Sequence, residues 1–260
     1  FVPTMGALHK GHETLIKESK RCCDYTIVSI FINPEQFAPN EDFDKYPKLV
    51  DSDIKKCEQL GVDMLFIPTV NEIYPNSEKI ESYIPPKELN QILCSMSRPH
   101  FFEGVCKVVL RLFRIIRPTQ AFFGLKDLQQ QCIVDQMVND LDLSIQIIGC
   151  PIIRDEMGLA ESSRNKYLSE SSYKKALEFP NTLLKVKEKF ISGETEASKL
   201  IEFGHNLLSI AKFDIDYIEF FDPLNQCLVN SEIKQEHYFC AAIICDGVRL
   251  IDNCSMKKEF

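Results

Sequence analysis

The chain has 260 residues, 45% hydrophobic and 26% charged; that balance belongs to a folded globular protein with one large or two modest cores and excludes a disordered or fibrous chain. Thirty Lys and Arg against 38 Asp and Glu give a net charge of −8 with no dense basic run, so nucleic acid is not the expected partner, while small anions stay open. No apolar stretch approaches the ~20 residues of a membrane span, and eleven scattered cysteines without a C-x-x-C read as reduced, mostly buried thiols of a cytoplasmic protein.

Phe1-Val2-Pro3-Thr4 reads as the end of a strand, and helical spacing follows over residues 13–22. Residues 25–32 form a continuous β-branched apolar run, the pattern of a strand covered on both faces. A helix over 51–60, a strand over 64–67, a helix over 105–116, a strand over 121–123, a helix over 128–138 and a strand over 144–148 continue the alternation. This predicts an α/β fold, a doubly wound Rossmann-like parallel sheet whose ligands lie beyond the carboxyl ends of the strands. After Pro151 the texture changes: 170–190 and 194–212 read as amphipathic helices, then 215–221 and 238–244 as strands, a smaller C-terminal α+β domain. The expected division is 1–151 and 152–260, with the active site in the crevice between.

Four blocks carry chemistry. Pro3-Thr4-Met5-Gly6-Ala7-Leu8-His9-Lys10-Gly11-His12 lies between strand and helix, where a helix N-terminus favours anions and two imidazoles can donate to phosphate oxygens. Ordinary loop histidines are the alternative; a zinc pair is weak because no third ligand accompanies them. Asn33 and Gln36 stand at the carboxyl end of the best strand, where neutral amides suit a substrate with hydroxyls and a carboxylate, although Asn33-Pro34 also reads as plain turn chemistry. In Phe123-Gly124-Leu125-Lys126-Asp127, Lys126 can reach phosphates and Asp127 ribose hydroxyls, with Gln130 one turn into the next helix; a solvated helix start is the plainer reading. Ser162-Ser163-Arg164 offers two hydroxyls and a guanidinium for departing pyrophosphate, or else a helix cap and a surface cation.

Taken together, P-T-M-G-A-L-H-K-G-H, V-S-I-F-I-N-P-E-Q-F, Tyr46-Pro47-Lys48, Ser97-Arg98-Pro99, F-G-L-K-D-L-Q-Q, G-L-A-E-S-S-R-N-K-Y-L-S and the closing Arg249-Leu250-Ile251-Asp252-Asn253 resemble, in order, the blocks of the pantothenate synthetase family, pantoate and β-alanine ligases of the H-x-G-H nucleotidyltransferase superfamily. The resemblance implies ATP-dependent condensation of pantoate with β-alanine through pantoyl adenylate, with Mg²⁺, in a homodimer. It also implies roles for single residues. Met5, Gly6, His9 and His12 fall on the nucleotide loop, Gln36 and Gln130 on pantoate with Asn33 beside them, and Arg98 near the substrate crevice. Gly124 and Asp127 fall on the ribose, Lys126 on a phosphate, Ile153 on the adenine through its backbone, and Ser162, Ser163 and Arg164 on the triphosphate. Asp53 matches an acidic residue close to Mg²⁺, with Asp51 a neighbouring candidate.

Three departures stand out. The family's R-P-G-H-F-x-G-V is replaced by Arg98-Pro99-His100-Phe101-Phe102-Glu103-Gly104-Val105, with His100 a candidate for the vacated imidazole role. Lys107 and Glu161 replace uncharged residues, and Glu161 is expected to face solvent. The family has a helix and most of a strand before F-V-P-T-M-G, so the expectation is a partial record of a longer chain. A second function reading, a nucleotide-binding relic without turnover, rests on the R-P-H-F-F change and Glu161; another H-x-G-H nucleotidyltransferase is the third.

Overall fold

The structure is a computed structural model that describes residues 1–38, 43–75 and 79–258. The chain divides into two compact units, one of residues 1–90, 98–125 and 130–153, the other of 91–97, 126–129 and 154–260. Two short segments, 91–97 and 126–129, group with the later unit.

The first unit contains β1 (Val2–Thr4), α1 (Lys10–Cys22), β2 (Ile27–Ile30), α2 (Val50–Gln59), β3 (Met64–Phe66) and the short helices α3 (Val70–Ile73) and α4 (Lys87–Asn90). Beyond α5 (Cys94–Ser97), which groups with the second unit, come α6 (Phe101–Ile116), β4 (Gln120–Gly124), α7 (Leu128–Asp140) and β5 (Gln146–Cys150). β1 pairs in parallel with β2, β2 with β3, and β4 with β5. The Phe1 nitrogen donates to the Gln120 carbonyl (2.8 Å) and the Phe122 N–H to the Phe1 carbonyl (2.9 Å), which brings β4 beside β1. The order is therefore β3-β2-β1-β4-β5, reversing at β1, the place where open α/β sheets bind ligands. Val2, Val28, Phe122 and Cys150 from four of these strands meet Leu15 and Ile16 of α1 in one buried cluster.

α6 is buried along one face by Phe102, Val105, Val109 and Phe113. It stops at Arg117, which turns left-handed (φ 52°) ahead of Pro118. Gly104 is required here by space: a Cβ would lie 2.2 Å from the Glu35 carbonyl oxygen, so α6 packs directly on the 3₁₀ turn Pro34–Gln36.

In the second unit α8 (Glu170–Ala176), α9 (Glu178–Ile191) and α10 (Ala197–Ile210) accompany the antiparallel sheet β7-β6-β8-β9, built from β6 (Asp214–Asp222), β7 (Cys227–Leu228), β8 (Tyr238–Cys245) and β9 (Val248–Ser255). The single helix expected over 170–190 is broken at Leu177. Pro180 has no N–H to return to the preceding turn, so it is tolerated only in the first turn of a new helix. Phe220 and Phe239 stack with centroids 4.9 Å apart in this unit's core. All eleven cysteines are free, seven of them buried. Among the described residues no helix is long and apolar enough to cross a membrane.

Candidate functional site

The carboxyl end of β1 runs straight into the two-histidine motif. Thr4 fixes the exit: its hydroxyl donates to the Ser29 carbonyl (2.7 Å) and accepts from the Gly6 N–H (3.1 Å). Gly6 (φ 83°) and Ala7 (φ 50°) then turn left-handed, and His9 takes the cap position of α1. The helix begins at Lys10, three residues before the expected start, because His9 does the work of the usual Ser, Thr, Asp or Asn. Its Nδ1 accepts from the Gly11 N–H (3.1 Å), while Nδ1 of His12 accepts from the His9 N–H (3.3 Å). This is a capping box made from two imidazoles, their centroids 4.1 Å apart. With a backbone donor facing each Nδ1, the proton of each neutral ring sits on Nε2. Both rings therefore carry a donor on the side turned away from the backbone, at the positive end of a helix.

Asn33, at the foot of β2, has a different setting from the one expected. It is 0% exposed and fully engaged: Nδ2 donates to Gln36 Oε1 and to the Gly104 carbonyl (both 3.1 Å), and Oδ1 accepts from the Tyr74 hydroxyl (2.8 Å) and the Glu35 N–H (3.2 Å). Both N–H groups and the oxygen of the Asn33 side chain are thus engaged within the protein, and one of these bonds holds Gln36. Burial pushes the Tyr74 phenol up and keeps it a donor. Gln36 is buried and donates through Nε2 to Met5 Sδ (3.0 Å), which ties the end of β2 to the loop after β1. Arg98 lies over the Phe101 ring, its guanidinium carbon 3.7 Å from the centroid, and donates to the Gln36 carbonyl (3.4 Å). The Phe101 ring is thus a platform for Arg98. His100 is exposed at the start of α6 without a side-chain cap bond. Lys107 pairs with Glu35 (3.1 Å).

Gln130 is half-buried on α7, and its amide has no hydrogen-bond partner among the described residues. Its neighbour Gln129 is by contrast buried and bound to the Cys94 N–H, the Ile92 carbonyl and the Ser95 hydroxyl. Ile153, at the end of the first unit, is half-buried, as is Gly124.

In the second unit Lys126 and Asp127 occupy the turn Leu125–Asp127, with Nζ 3.7 Å from the carboxylate. The turn is held from β9: Asn253 Nδ2 donates to the Lys126 carbonyl (3.1 Å), and the Asn253 N–H donates to Asp252 Oδ1 (2.8 Å). Asp252 is buried and grips Arg154 with both oxygens (2.6 and 2.9 Å), the fork geometry that suits arginine. Burial pushes the Asp252 carboxyl up, against the pull of that guanidinium. Arg154 also donates to the Gly158 carbonyl (3.1 Å), and Asp155 caps Met157 and Leu159 while accepting from the Tyr173 hydroxyl (2.6 Å). The phenol of Tyr173 is raised to about 12 by that bond, with Glu161 contributing from farther off. Glu161 is half-buried rather than wholly in solvent. Ser162 caps the short turn Ser163–Tyr167, accepting from the Arg164 N–H (3.2 Å); Ser163 is buried and Arg164 half-buried.

Asp53 is 1% exposed, and both its oxygens accept backbone N–H groups, from Ala7 (Oδ2) and Leu8 (Oδ1), each at 2.8 Å. The expected Mg²⁺ ligand is thus buried against main chain. Among the described residues no three His, Cys, Asp or Glu side chains are grouped to hold a metal ion. The residues present therefore do not fit a protein-held metal at this position. Arg154, Asp252, Asn253 and Tyr74 were not expected in these roles. The closing R-L-I-D-N block carried the only signal for two of them, an Asp-Asn pair interrupting an apolar run.

A family model described as pantoate-beta-alanine ligase matches residues 1–255. A pantothenate synthetase of Acetivibrio thermocellus is 43% identical over 255 residues, covering 97% of this chain and 89% of the relative. A bifunctional pantoate ligase/cytidylate kinase of Thermosynechococcus vestitus is 44% identical over 262 residues; the chain spans 51% of that protein's length. Among solved structures, a Thermus thermophilus pantothenate synthetase superimposes with a TM-score of 0.94 at 35% identity, over 99% of this chain and 93% of that one. A Francisella tularensis pantoate-beta-alanine ligase complexed with beta-gamma ATP and beta-alanine gives 0.81 at 34% identity, over 100% and 90%.

Proposed function

The chain belongs to the pantoate-beta-alanine ligase family, and from that premise we propose how its residues divide the work of joining pantoate to β-alanine at the expense of ATP. The protein is an ATP-dependent carboxylate–amine ligase. In the first step a pantoate carboxylate oxygen attacks the α-phosphorus; the bond to the bridging oxygen breaks and pyrophosphate leaves with those electrons. In the second, the β-alanine amine attacks the acyl carbon of pantoyl adenylate, the C–O bond to AMP breaks, and the amine proton goes to solvent. No protein nucleophile enters either step, so the rate depends on positioning and on donors aimed at developing phosphate charge.

The observation that carries this reading is the reciprocal imidazole cap of α1, which sets the proton of each ring on Nε2 at a helix N-terminus where β1 ends. His9 and His12 are the proposed donors to the α-phosphate, with Met5, Gly6, Gly124, Asp127 and the Ile153 backbone on the nucleoside. Lys126, Ser162, Ser163 and Arg164 are the proposed partners of the leaving pyrophosphate. Gln36 and Gln130 hold pantoate, and Arg98 steadies Gln36. Magnesium enters this reading as the counter-ion of the triphosphate, with no carboxylate of the chain assigned to it. The homodimer and cytoplasmic location implied by the resemblance belong to the same proposal; light scattering is expected to return twice the mass of one chain, and a single-chain mass removes the dimer.

Pantoate-dependent exchange of pyrophosphate into ATP tests the reaction, and ATP binding without exchange would favour the relic. In the same assay Gln130→Ala is expected to raise KM for pantoate by ~10 to 100-fold, the loss of a hydrogen bond to a charged group, with ATP affinity unchanged. Equal damage to both substrates would remove Gln130 from pantoate.

A further inference from the structure

At the two left-handed residues Gly6 and Ala7, the Ala7 and Leu8 N–H groups converge on one carboxylate, and successive backbone N–H groups that converge in this way form a nest for an anion. Such a nest beside a phosphate-binding helix would ordinarily be read as a place for ligand. Here it is filled from inside the chain: Asp53, in the first turn of α2, takes the Ala7 and Leu8 N–H groups on its two oxygens. One turn along α2, the Lys56 ammonium donates to the Leu8 carbonyl. Leu8, the residue that leads into His9, is thus gripped at its N–H and at its carbonyl by one helix.

The space around the nest is closed. A Cβ at Gly6 would lie 3.0 Å from Ile30 Cγ2 and 3.1 Å from Asp53 Oδ2. Ala7 is left-handed without being glycine, a conformation that persists where the surroundings enforce it. The two short bonds to Asp53 supply that enforcement. The line of contacts then continues from Leu8 to the His9 N–H, and from there to Nδ1 of His12.

We propose that Asp53 is a positioning residue, an internal anion that occupies the nest ahead of α1 and sets the two-histidine cap, and that it is not a ligand of Mg²⁺. The proposal rests on the reading of His9 and His12 as phosphate donors. Asp53→Asn is nearly isosteric but turns one N–H acceptor into an N–H donor, so one of the two nest bonds must open. A displacement of the histidines by an ångström is worth ~10²-fold in turnover, whereas loss of a metal-site carboxylate weakens metal binding by ~10-fold or more.

The test is pantoate-dependent ATP–pyrophosphate exchange titrated with Mg²⁺ in wild type, Asp53→Asn and Lys56→Met, with imidazole nitrogen NMR of the same proteins. The expected result for Asp53→Asn is a ~10²-fold lower kcat, an unchanged half-saturating Mg²⁺ concentration, and loss of the paired Nε2–H signals. Lys56→Met, which spares the buried carboxylate, is expected to lower kcat more mildly at the same Mg²⁺ requirement. A raised Mg²⁺ requirement in Asp53→Asn would overturn the proposal, as would wild-type imidazole spectra in that variant. Should Asp53→Asn fail to fold, a wild-type kcat in Lys56→Met overturns it instead. Because the spectra report the cap without turnover, they still decide the role of Asp53 if the histidines prove to have no part in the chemistry.

Discussion

His12→Ala is expected to lower kcat of pantoate-dependent ATP–pyrophosphate exchange by at least ~10²-fold, the size of effect seen when one preorganised donor to a charged transition state is removed. Two losses contribute. The Nε2–H donor disappears, and the His9 N–H loses its acceptor, so His9 loosens as well. If the donor acts only as charge develops, kcat and kcat/KM fall together while KM for ATP stays put. The capping loss is worth about 0.5–2 kcal/mol and should appear separately in the melt. His12→Asn divides the two effects, since a carboxamide can accept from the His9 N–H and still offer an N–H outward. It should keep the wild-type melt and recover part of the rate. A near wild-type rate in His12→Ala removes His12 from the mechanism.

Gly104→Ala carries the largest expected effect on stability. The added Cβ would sit 2.2 Å from the Glu35 carbonyl oxygen and 2.8 Å from Gln36 Cα, and both obstacles are backbone. No side chain can swing aside, so α6 must move off the Pro34–Gln36 turn. Overpacking of this kind costs ~3 kcal/mol or more at its upper range, equivalent to a melting temperature lower by ~6–12 °C in a chain of this size. The same movement takes the Gly104 carbonyl from Asn33, and Asn33 is what fixes Gln36. KM for pantoate should therefore rise even at temperatures where the variant is folded. Calorimetry within ~1 °C of wild type, with unchanged KM, would mean the helix and turn can part without cost.

The parallel sheet was legible because its strands are short apolar runs between helical spacings, and residues 25–32 needed no further information. The edges of elements were less so. α1 begins at Lys10 because a histidine takes the cap, which no propensity anticipates. β9 was not anticipated: its alternation breaks at buried Asp252 and Asn253, polar residues whose partners, Arg154 and Lys126, lie about a hundred or more positions earlier. The candidate site shows the same division. Motifs bring His9, His12, Gln36 and Gln130 to notice, yet in a string of letters Asn33 and Asp53 look equally like ligand donors. What separates them is whether their polar atoms are already taken, and the groups that take them, Gly104 and the Ala7–Leu8 amides, lie 71 and about 46 residues away. Gln129 and Gln130 make the point within one helix turn: the first is bound on all sides and the second is uncommitted.

The bond from Asn253 to the Lys126 carbonyl spans 127 positions of chain. A ribosome therefore delivers the lysine turn long before Asn253, and that hydrogen bond waits until β9 has been made. Partial products of synthesis would carry the imidazole cap without the bond from Asn253 to Lys126. Any slowing of the small sheet's assembly would delay the appearance of activity, even where every motif residue is already folded in its own unit.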